Sequence, residues 1–114
     1  MSRDPGLYLD ALLTGSTRIL EATRGLDLHT FAEDWILRDA VIRNLEVIGE
    51  SARRLPAELK AQHPEVPWAH LARLREVLVH SYFQVDDAIL WSLIQDQLPD
   101  VKAAVEDLHS RPPA

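Results

Sequence analysis

The chain has 114 residues, of which 46% are apolar, so it can build one hydrophobic core but not two. It contains no cysteine, which excludes a disulfide framework and a thiolate metal site and fits a reducing compartment. The net charge of −6 argues against general coating of nucleic acid, and no stretch approaches the roughly 18 apolar residues of a membrane span. We therefore expect a cytoplasmic protein with neither a membrane nor DNA among its partners.

The first half of the chain is predicted to form helices separated by a turn. Asp4-Pro5 is typical of a helix start, because Asp can cap a helix and Pro suits its first position. Gly25 is a natural stop, and the capping-box spacing of Thr30 and Glu33 predicts a short turn or a new helix there. The clearest helix follows, with apolar residues that step by three and four: Leu37, Val41, Leu45, Ile48, Ala52 and Leu55.

Proline residues divide the middle of the chain. Pro56 either ends the clearest helix or starts a short one over residues 57–62, because proline cannot continue a helix from within. Residues 63–67 are predicted to be a loop. The next helix is expected from about Trp68 to about Val79, since Pro67 suits the first turn of a helix.

The last helix is predicted to begin after Asp86 as its cap and to run to about Leu108. Pro99 should kink or interrupt it, and residues 109–114 are expected to be a frayed tail. The interpretation is a single all-α domain over residues 1–114. We expect a compact bundle of four main helices with one or two short ones.

The most distinctive motif is an Arg-x4-His-x-Tyr pattern formed by Arg75, His80 and Tyr82. Arginine can hold a phosphate with a fork of donors, and histidine can move a proton near neutral pH. Tyrosine offers a hydroxyl group that can be modified. Together these residue types suit metal-independent RNA cleavage. A histidine can remove the proton of the ribose 2′-OH or protonate the leaving 5′ oxygen, and an arginine can stabilise the charge that develops on the phosphorane-like transition state.

Helical geometry separates two members of the motif. Arg75 and Tyr82 lie within about 20° of each other around a helix axis, whereas Arg75 and His80 are about 140° apart. Either the helix ends near His80 and the imidazole swings round, or a second copy of the chain completes the site in a symmetric dimer. The separation favours the composite site. On spacing alone, the motif also fits a helix-end histidine beside a half-buried tyrosine.

The context of the motif resembles the HepT-like branch of the HEPN superfamily. The similarity rests on two segments joined by a Pro-Trp segment. The first is Val41-Ile-Arg-Asn-Leu-Glu-Val-Ile-Gly-Glu50-Ser-Ala-Arg-Arg-Leu-Pro56, and the second is Leu74-Arg75 through His80-Ser-Tyr82-Phe-Gln-Val-Asp86. The closing Leu98-Pro99 in the last helix is also similar. The resemblance extends from about Asp4 to Leu108. The combination of the two segments is specific, although neither is specific alone.

The resemblance implies a compact helical homodimer that acts as the ribonuclease toxin of a type VII-like toxin–antitoxin system. Arg75 and His80 would be its catalytic residues, and tRNA or mRNA its substrate. The partner would be an MntA-like minimal nucleotidyltransferase antitoxin, which can transfer AMP from ATP to the motif tyrosine, here Tyr82. A bulky anionic adduct at Tyr82 would occlude the cleft and repel an RNA phosphate.

One residue departs from the family pattern. The residue after the motif arginine is usually polar and often asparagine, whereas this chain has Glu76. A carboxylate there could orient the arginine or tune the histidine, and it could equally repel the RNA backbone. The departure leaves open an alternative function, a non-catalytic HEPN module that binds a nucleotide or a nucleotidyltransferase.

Three residues of the first matched segment, Arg43, Asn44 and Glu50, are candidates for lining the cleft. The competing interpretation is a charge network within one helix, because Asp39 and Arg43 are an i,i+4 pair and so are Glu50 and Arg54. Asn44 favours a functional role, since asparagine is a poor helix former. The other histidines are not spaced as a metal set, so we expect neither a metal nor a cofactor.

Overall fold

The computed structural model of the chain describes residues 4–81 and 84–111. All regular structure in these two ranges is helical, which confirms the predicted all-α class. The helices are α1 (Pro5–Thr23), α2 (Leu28–Glu33), α3 (Trp35–Arg54), α4 (Ala57–Lys60), α5 (Trp68–His80), α6 (Asp87–Ser92) and α7 (Leu98–Ser110). A π-helical turn, Leu93–Gln97, joins α6 to α7. The three elements follow one another without a break and form the fourth long helical segment of the bundle, called the last rod below.

Aspartate side chains begin most of the helices. Asp4, Asp34 and Asp86 each accept a hydrogen bond from a backbone N–H in the first turn of the helix that follows, at 2.8–3.0 Å. The short helix α2 starts earlier than the capping-box spacing predicts. Asp27 is its cap and accepts a 2.8 Å hydrogen bond from the N–H of Thr30, which therefore lies inside the helix.

Helix α3 is the centre of the bundle. It packs against α1 on one side and against α5 on the other, while α1 also packs against α7. The fully buried residues of α3 are those of the predicted apolar stripe, including Leu45, Ile48 and Ala52. Burial of such a stripe is the main stabilising term of a small helical bundle. This packing fixes the position of α5, which carries the Arg-x4-His-x-Tyr motif.

The last rod is interrupted just before Pro99. The N–H of Leu98 bonds to the carbonyl of Leu93, five residues earlier, which widens one turn. Pro99 then occupies the first turn of α7, where a missing N–H leaves no intrahelical hydrogen bond unmade. The helix continues through Ser110, beyond the position at which the tail was expected to begin. No helix in the described ranges is long and apolar enough to cross a membrane.

Candidate functional site

An open groove of about 270 Å³ lies between α3 and α5. The two helices approach closely because residue 49 is glycine. A Cβ atom at Gly49 would lie 2.5 Å from the Cβ of Arg75 and 2.7 Å from the carbonyl oxygen of Leu71. Both distances are shorter than a van der Waals contact, so any larger residue would push α5 away from α3. The groove is lined by Arg43, Glu46, Val47, Glu50, Ser51, Arg75 and Val79.

Arg75 extends from α5 into this groove and meets Glu50 of α3. Its Nε lies 3.4 Å from Oε1 of Glu50, and the arginine side chain is 30% exposed. The half-buried position and the link to the opposite helix hold the guanidinium at the groove. An arginine in this position can receive a phosphate, because its donors face an open space rather than the core.

Glu50 is the centre of a charge network. Arg53 donates to its two carboxylate oxygens at 3.1 and 2.9 Å, and Arg54 donates to Oε2 at 2.6 Å. These hydrogen bonds, from Arg53 first and then Arg54, lower the pKa of Glu50 to about 2. Glu50 is therefore ionised at any physiological pH. The predicted pair with Arg54 is present, and Arg75 makes the longest of the three arginine contacts.

His80 is the last residue of α5, and it lies outside the groove. Its side chain is 71% exposed, and the helix ends at the next residue, Ser81. Because α5 remains helical through His80, the imidazole and the guanidinium of Arg75 leave the helix in different directions. One chain therefore presents Arg75 inside the groove and His80 at its outer edge.

Glu76 connects the two motif side chains. Its Oε1 accepts a hydrogen bond from Nη1 of Arg75 at 2.5 Å, and its Oε2 lies 3.4 Å from Nε2 of His80. A single carboxylate thus contacts both the arginine and the histidine of the motif. The side chain is 55% exposed and lies on the solvent side of α5.

The remaining candidate residues are distributed over different surfaces. Arg43 lines the groove and lies 3.6 Å from Glu46. Asn44 lies away from the groove. Its Nδ2 donates a 2.8 Å hydrogen bond to the carbonyl of Ala40, and it borders a different cavity together with residues of α1. Tyr82 lies outside the described residues.

Several residues at the groove were not anticipated from the sequence. Gly49 sets the distance between the helices, and Glu46 and Val79 contribute to the walls. A signal existed for two of them, because Glu46 lies three residues after Arg43 and Val79 four after Arg75, which places each pair on a shared helix face. Across residues 4–81 and 84–111, no three histidine or acidic side chains are grouped as a metal site.

Comparison with known proteins identifies a single family. The profile of the HepT-like family, described as "Ribonuclease HepT-like", matches residues 12–108. The chain is 38% identical over 109 residues to "Probable ribonuclease HepT" of Thermococcus cleftensis, an alignment that covers 96% of this chain and 99% of the relative. It is 35% identical over 104 residues to "Putative RNase MJ1380" of Methanocaldococcus jannaschii, with coverage of 91% and 95%. No solved structure is significantly similar to it.

Proposed function

The chain belongs to the HepT-like ribonuclease family, and from this premise we propose that it is a metal-independent endoribonuclease with Arg75 and His80 as its catalytic residues. The observation that carries the proposal is the placement of Arg75. Its guanidinium lies at an open groove, anchored by Glu50, with the exposed imidazole of His80 on the same helix. These are the charge-stabilising and proton-transferring groups that RNA cleavage requires.

The proposed reaction uses the ribose 2′-OH of the substrate as the nucleophile. A histidine accepts the proton of the 2′-OH while the 2′ oxygen attacks phosphorus, and the 5′ oxygen leaves as it receives a proton. The products are a 2′,3′-cyclic phosphate and a 5′-hydroxyl. Arg75 would stabilise the additional negative charge on the phosphorane-like transition state. Because the substrate itself supplies the nucleophile, the step does not require an activated water.

We propose that the working site is composite and forms in a homodimer. In one chain Arg75 lies in the groove while His80 lies at its edge, so the two do not face one phosphate. Val77 and Val79, on the same segment of α5, are apolar side chains that are 49% and 45% exposed. A two-fold axis on the His80 side of α5 would cover Val77, which lies three residues before His80 on the same face, and would bring the arginine and histidine of two copies into one cleft.

The biological setting follows from the family as a further part of the proposal. The protein would be the toxin of a toxin–antitoxin pair in the cytoplasm, and its partner an MntA-like nucleotidyltransferase. The partner would inactivate the toxin by transferring AMP from ATP to the hydroxyl of Tyr82, with release of pyrophosphate. Tyr82 is two residues beyond His80 in the sequence, so the anionic adduct would lie beside the proposed proton-transfer group.

A second candidate function is a non-catalytic module that binds a nucleotide or a nucleotidyltransferase. The specific observation in its favour is Glu76, whose carboxylate contacts both Arg75 and His80. Negative charge at that position opposes an RNA phosphate. A purified protein that binds ATP or the partner tightly, while leaving RNA whole, would favour this function over nuclease activity.

The direct test compares RNA cleavage by the parent protein with that by the Arg75→Ala and His80→Ala variants. We expect each substitution to reduce cleavage by about 10²- to 10⁴-fold, the range for loss of a proton-transfer or charge-stabilising group. Arg73→Ala and His70→Ala are matched controls, because both residues are exposed on the same helix and line no part of the groove. Cleavage by His80→Ala at the parental rate would refute the proposed catalytic role.

A further inference from the structure

Glu76 is the one carboxylate that contacts both proposed catalytic side chains in the described part of the chain. Its two oxygens are used separately, Oε1 for Arg75 and Oε2 for His80. A phosphate group bound at Arg75 would offer its oxygens to the same guanidinium donors, and one bound at His80 would meet the same imidazole. The carboxylate and a substrate phosphate are therefore alternative partners of these side chains.

The other carboxylate near Arg75 behaves differently. Glu50 accepts hydrogen bonds from Arg53 and Arg54 as well as contacting Arg75, and its side chain is only 29% exposed. It is therefore fixed in the wall of the groove. Glu76 contacts Arg75 and His80 and adds a longer-range attraction to Arg53, and it is largely exposed. It can rotate into solvent without disturbing helix packing.

We propose that Glu76 is a resident substitute for the substrate phosphate: it is paired with Arg75 and His80 in the free protein and releases both side chains when RNA binds. This inference rests on the proposed nuclease function and adds to it a residue that sets affinity. In the free protein Glu76 holds the two side chains ready and neutralises charge at the site. Binding of RNA then exchanges one anion for another, so part of the attraction between Arg75 and the phosphate is cancelled.

The exchange has a measurable signature. When a cation already paired with a carboxylate takes up a phosphate, little net charge is neutralised and the salt dependence of binding is shallow. Removing the Glu76 carboxylate leaves the Arg75 guanidinium free to neutralise a phosphate. The salt dependence of binding then corresponds to one more neutralised phosphate. For single-stranded RNA each such contact contributes about 0.7 to the slope of log Kd against log salt concentration.

The experiment measures binding of a short 2′-O-methyl oligoribonucleotide, which cannot be cleaved because its nucleophile is blocked. Parent and Glu76→Gln proteins are titrated over a range of salt concentrations. We expect Glu76→Gln to bind about tenfold more tightly at low salt, the effect of one charge-assisted hydrogen bond, with a slope steeper by about 0.7. Glu106→Gln is the matched control, because it removes the same charge from an exposed site on α7.

Cleavage of ordinary RNA completes the test. We expect Glu76→Gln to lower KM and to raise kcat/KM, because no carboxylate then competes with the substrate phosphate. Glu76→Asp, which keeps the charge on a shorter stem, should return the affinity toward the parental value.

The outcomes separate the two proposals. Equal affinities and equal salt slopes for Glu76→Gln and Glu106→Gln would overturn the inference, since only net charge would then matter, and absence of RNA binding by every form would overturn it as well. A parent protein that binds the oligonucleotide but cleaves no RNA would instead refute the proposed function. In that case the binding comparison would still decide the role of Glu76.

Discussion

At the scale of single residues, the candidate site depends on a glycine as much as on its charged groups. Gly49 lies within a long helix, where glycine is ordinarily a weak point. Here it allows the backbone of α5 to approach α3, which carries the base of the Arg75 side chain to the groove. The sequence did not predict this role, because helix propensity describes one segment and the requirement arises where two segments cross.

We expect Gly49→Ala to destabilise the protein although alanine is the better helix former. The added methyl group would meet the Cβ of Arg75 and the carbonyl of Leu71, and overpacking of this kind costs about 1–3 kcal/mol. Urea unfolding measures the change, and RNA cleavage should fall with it because Arg75 is displaced. Gly15→Ala is the control, since its methyl group would come no nearer than 3.0 Å to the side chain of Ile48 and 3.6 Å to the carbonyl oxygen of Asn44. We therefore expect a smaller loss of stability for Gly15→Ala. An equal or larger loss for Gly15→Ala would contradict this account.

The same scale explains why two neighbouring candidate residues, Arg43 and Asn44, border different cavities. Arg43 and Asn44 are neighbours in sequence, so they leave α3 about 100° apart. Periodicity identifies which face of α3 is buried, but α3 is buried on two sides, by α1 and by α5. Arg43 faces the groove beside α5, whereas Asn44 lies beside α1. A single sequence does not reveal which neighbour covers which side.

At the scale of elements, the long helices were predictable and the short ones less so. The apolar steps of three and four located α3, because that period reports directly which residues a helix buries. The start of α2 was placed too late, because both Asp27 and Thr30 can cap a helix and the sequence does not show which one does. The interruption before Pro99 was expected from the missing N–H of proline, although the π-helical form it takes was not.

A histidine joins two elements far apart in sequence. Nδ1 of His63, in the connection before α5, lies 2.8 Å from Oε2 of Glu65, and Nε2 lies 2.7 Å from Oδ2 of Asp107 on α7. Glu65 first, and then Asp107, raises the pKa of His63 above its ordinary value. The hydrogen bond from His63 in turn lowers the pKa of Glu65 and of Asp107. The connection is thereby attached to the end of α7.

This arrangement predicts a pH-dependent contribution to stability. Because the pKa of His63 is raised on folding, its contribution is fully present below the unfolded value of about 6.5 and is lost as the pH rises through the folded value. The two acids have lowered pKa values, so their contribution is present above their unfolded values of about 4 and is lost on acidification. The free energy of unfolding of His63→Gln should therefore fall furthest below that of the parent between about pH 5 and 6.5.

Urea unfolding of parent and His63→Gln at a series of pH values measures this difference. We expect it to shrink steadily toward pH 9, where the imidazole of the parent has lost its charge. His70→Gln serves as the control, because His70 is exposed on α5 and should show no such maximum. A difference that stays constant across the range would show that His63 contributes by packing rather than by charge.

At the scale of the whole molecule, we propose that activity requires a second copy of the chain. The 140° between Arg75 and His80 could be predicted from helical geometry alone, and the structure keeps α5 helical through His80. Helical geometry within one chain does not show which surface a second copy would contact. The exposed side chain of Val77 indicates that surface, and it lies beside the motif rather than opposite it.

Complementation tests the composite site. We expect a heterodimer of one Arg75→Ala chain and one His80→Ala chain to recover a substantial part of the cleavage that each variant lacks, because one intact arginine and one intact histidine then share the cleft. A mixture that stays as inactive as either variant, although mass measurements show mixed dimers, would place the whole site within one chain.

The same interface can be broken without touching either catalytic residue. Val77→Asp should convert the dimer to a monomer and remove cleavage, since a charge would be buried without a partner. Leu7→Asp is the matched control, an equally severe change at an exposed apolar residue that belongs to α1 rather than to α5. Analytical ultracentrifugation reports the assembly state of both variants.

Because of the π-helical turn at Leu93–Gln97, the number of residues between α6 and α7 determines which face of α7 is directed toward the core. The wide turn holds one residue more than an α-helical turn, so it offsets α7 from α6 by about 100° around the common axis. Only with that offset do Val101, Val105 and Leu108 all point into the core. The chain can thus lengthen or shorten in its surface connections, whereas a single-residue deletion between α6 and α7 would turn the apolar face of the last helix toward water.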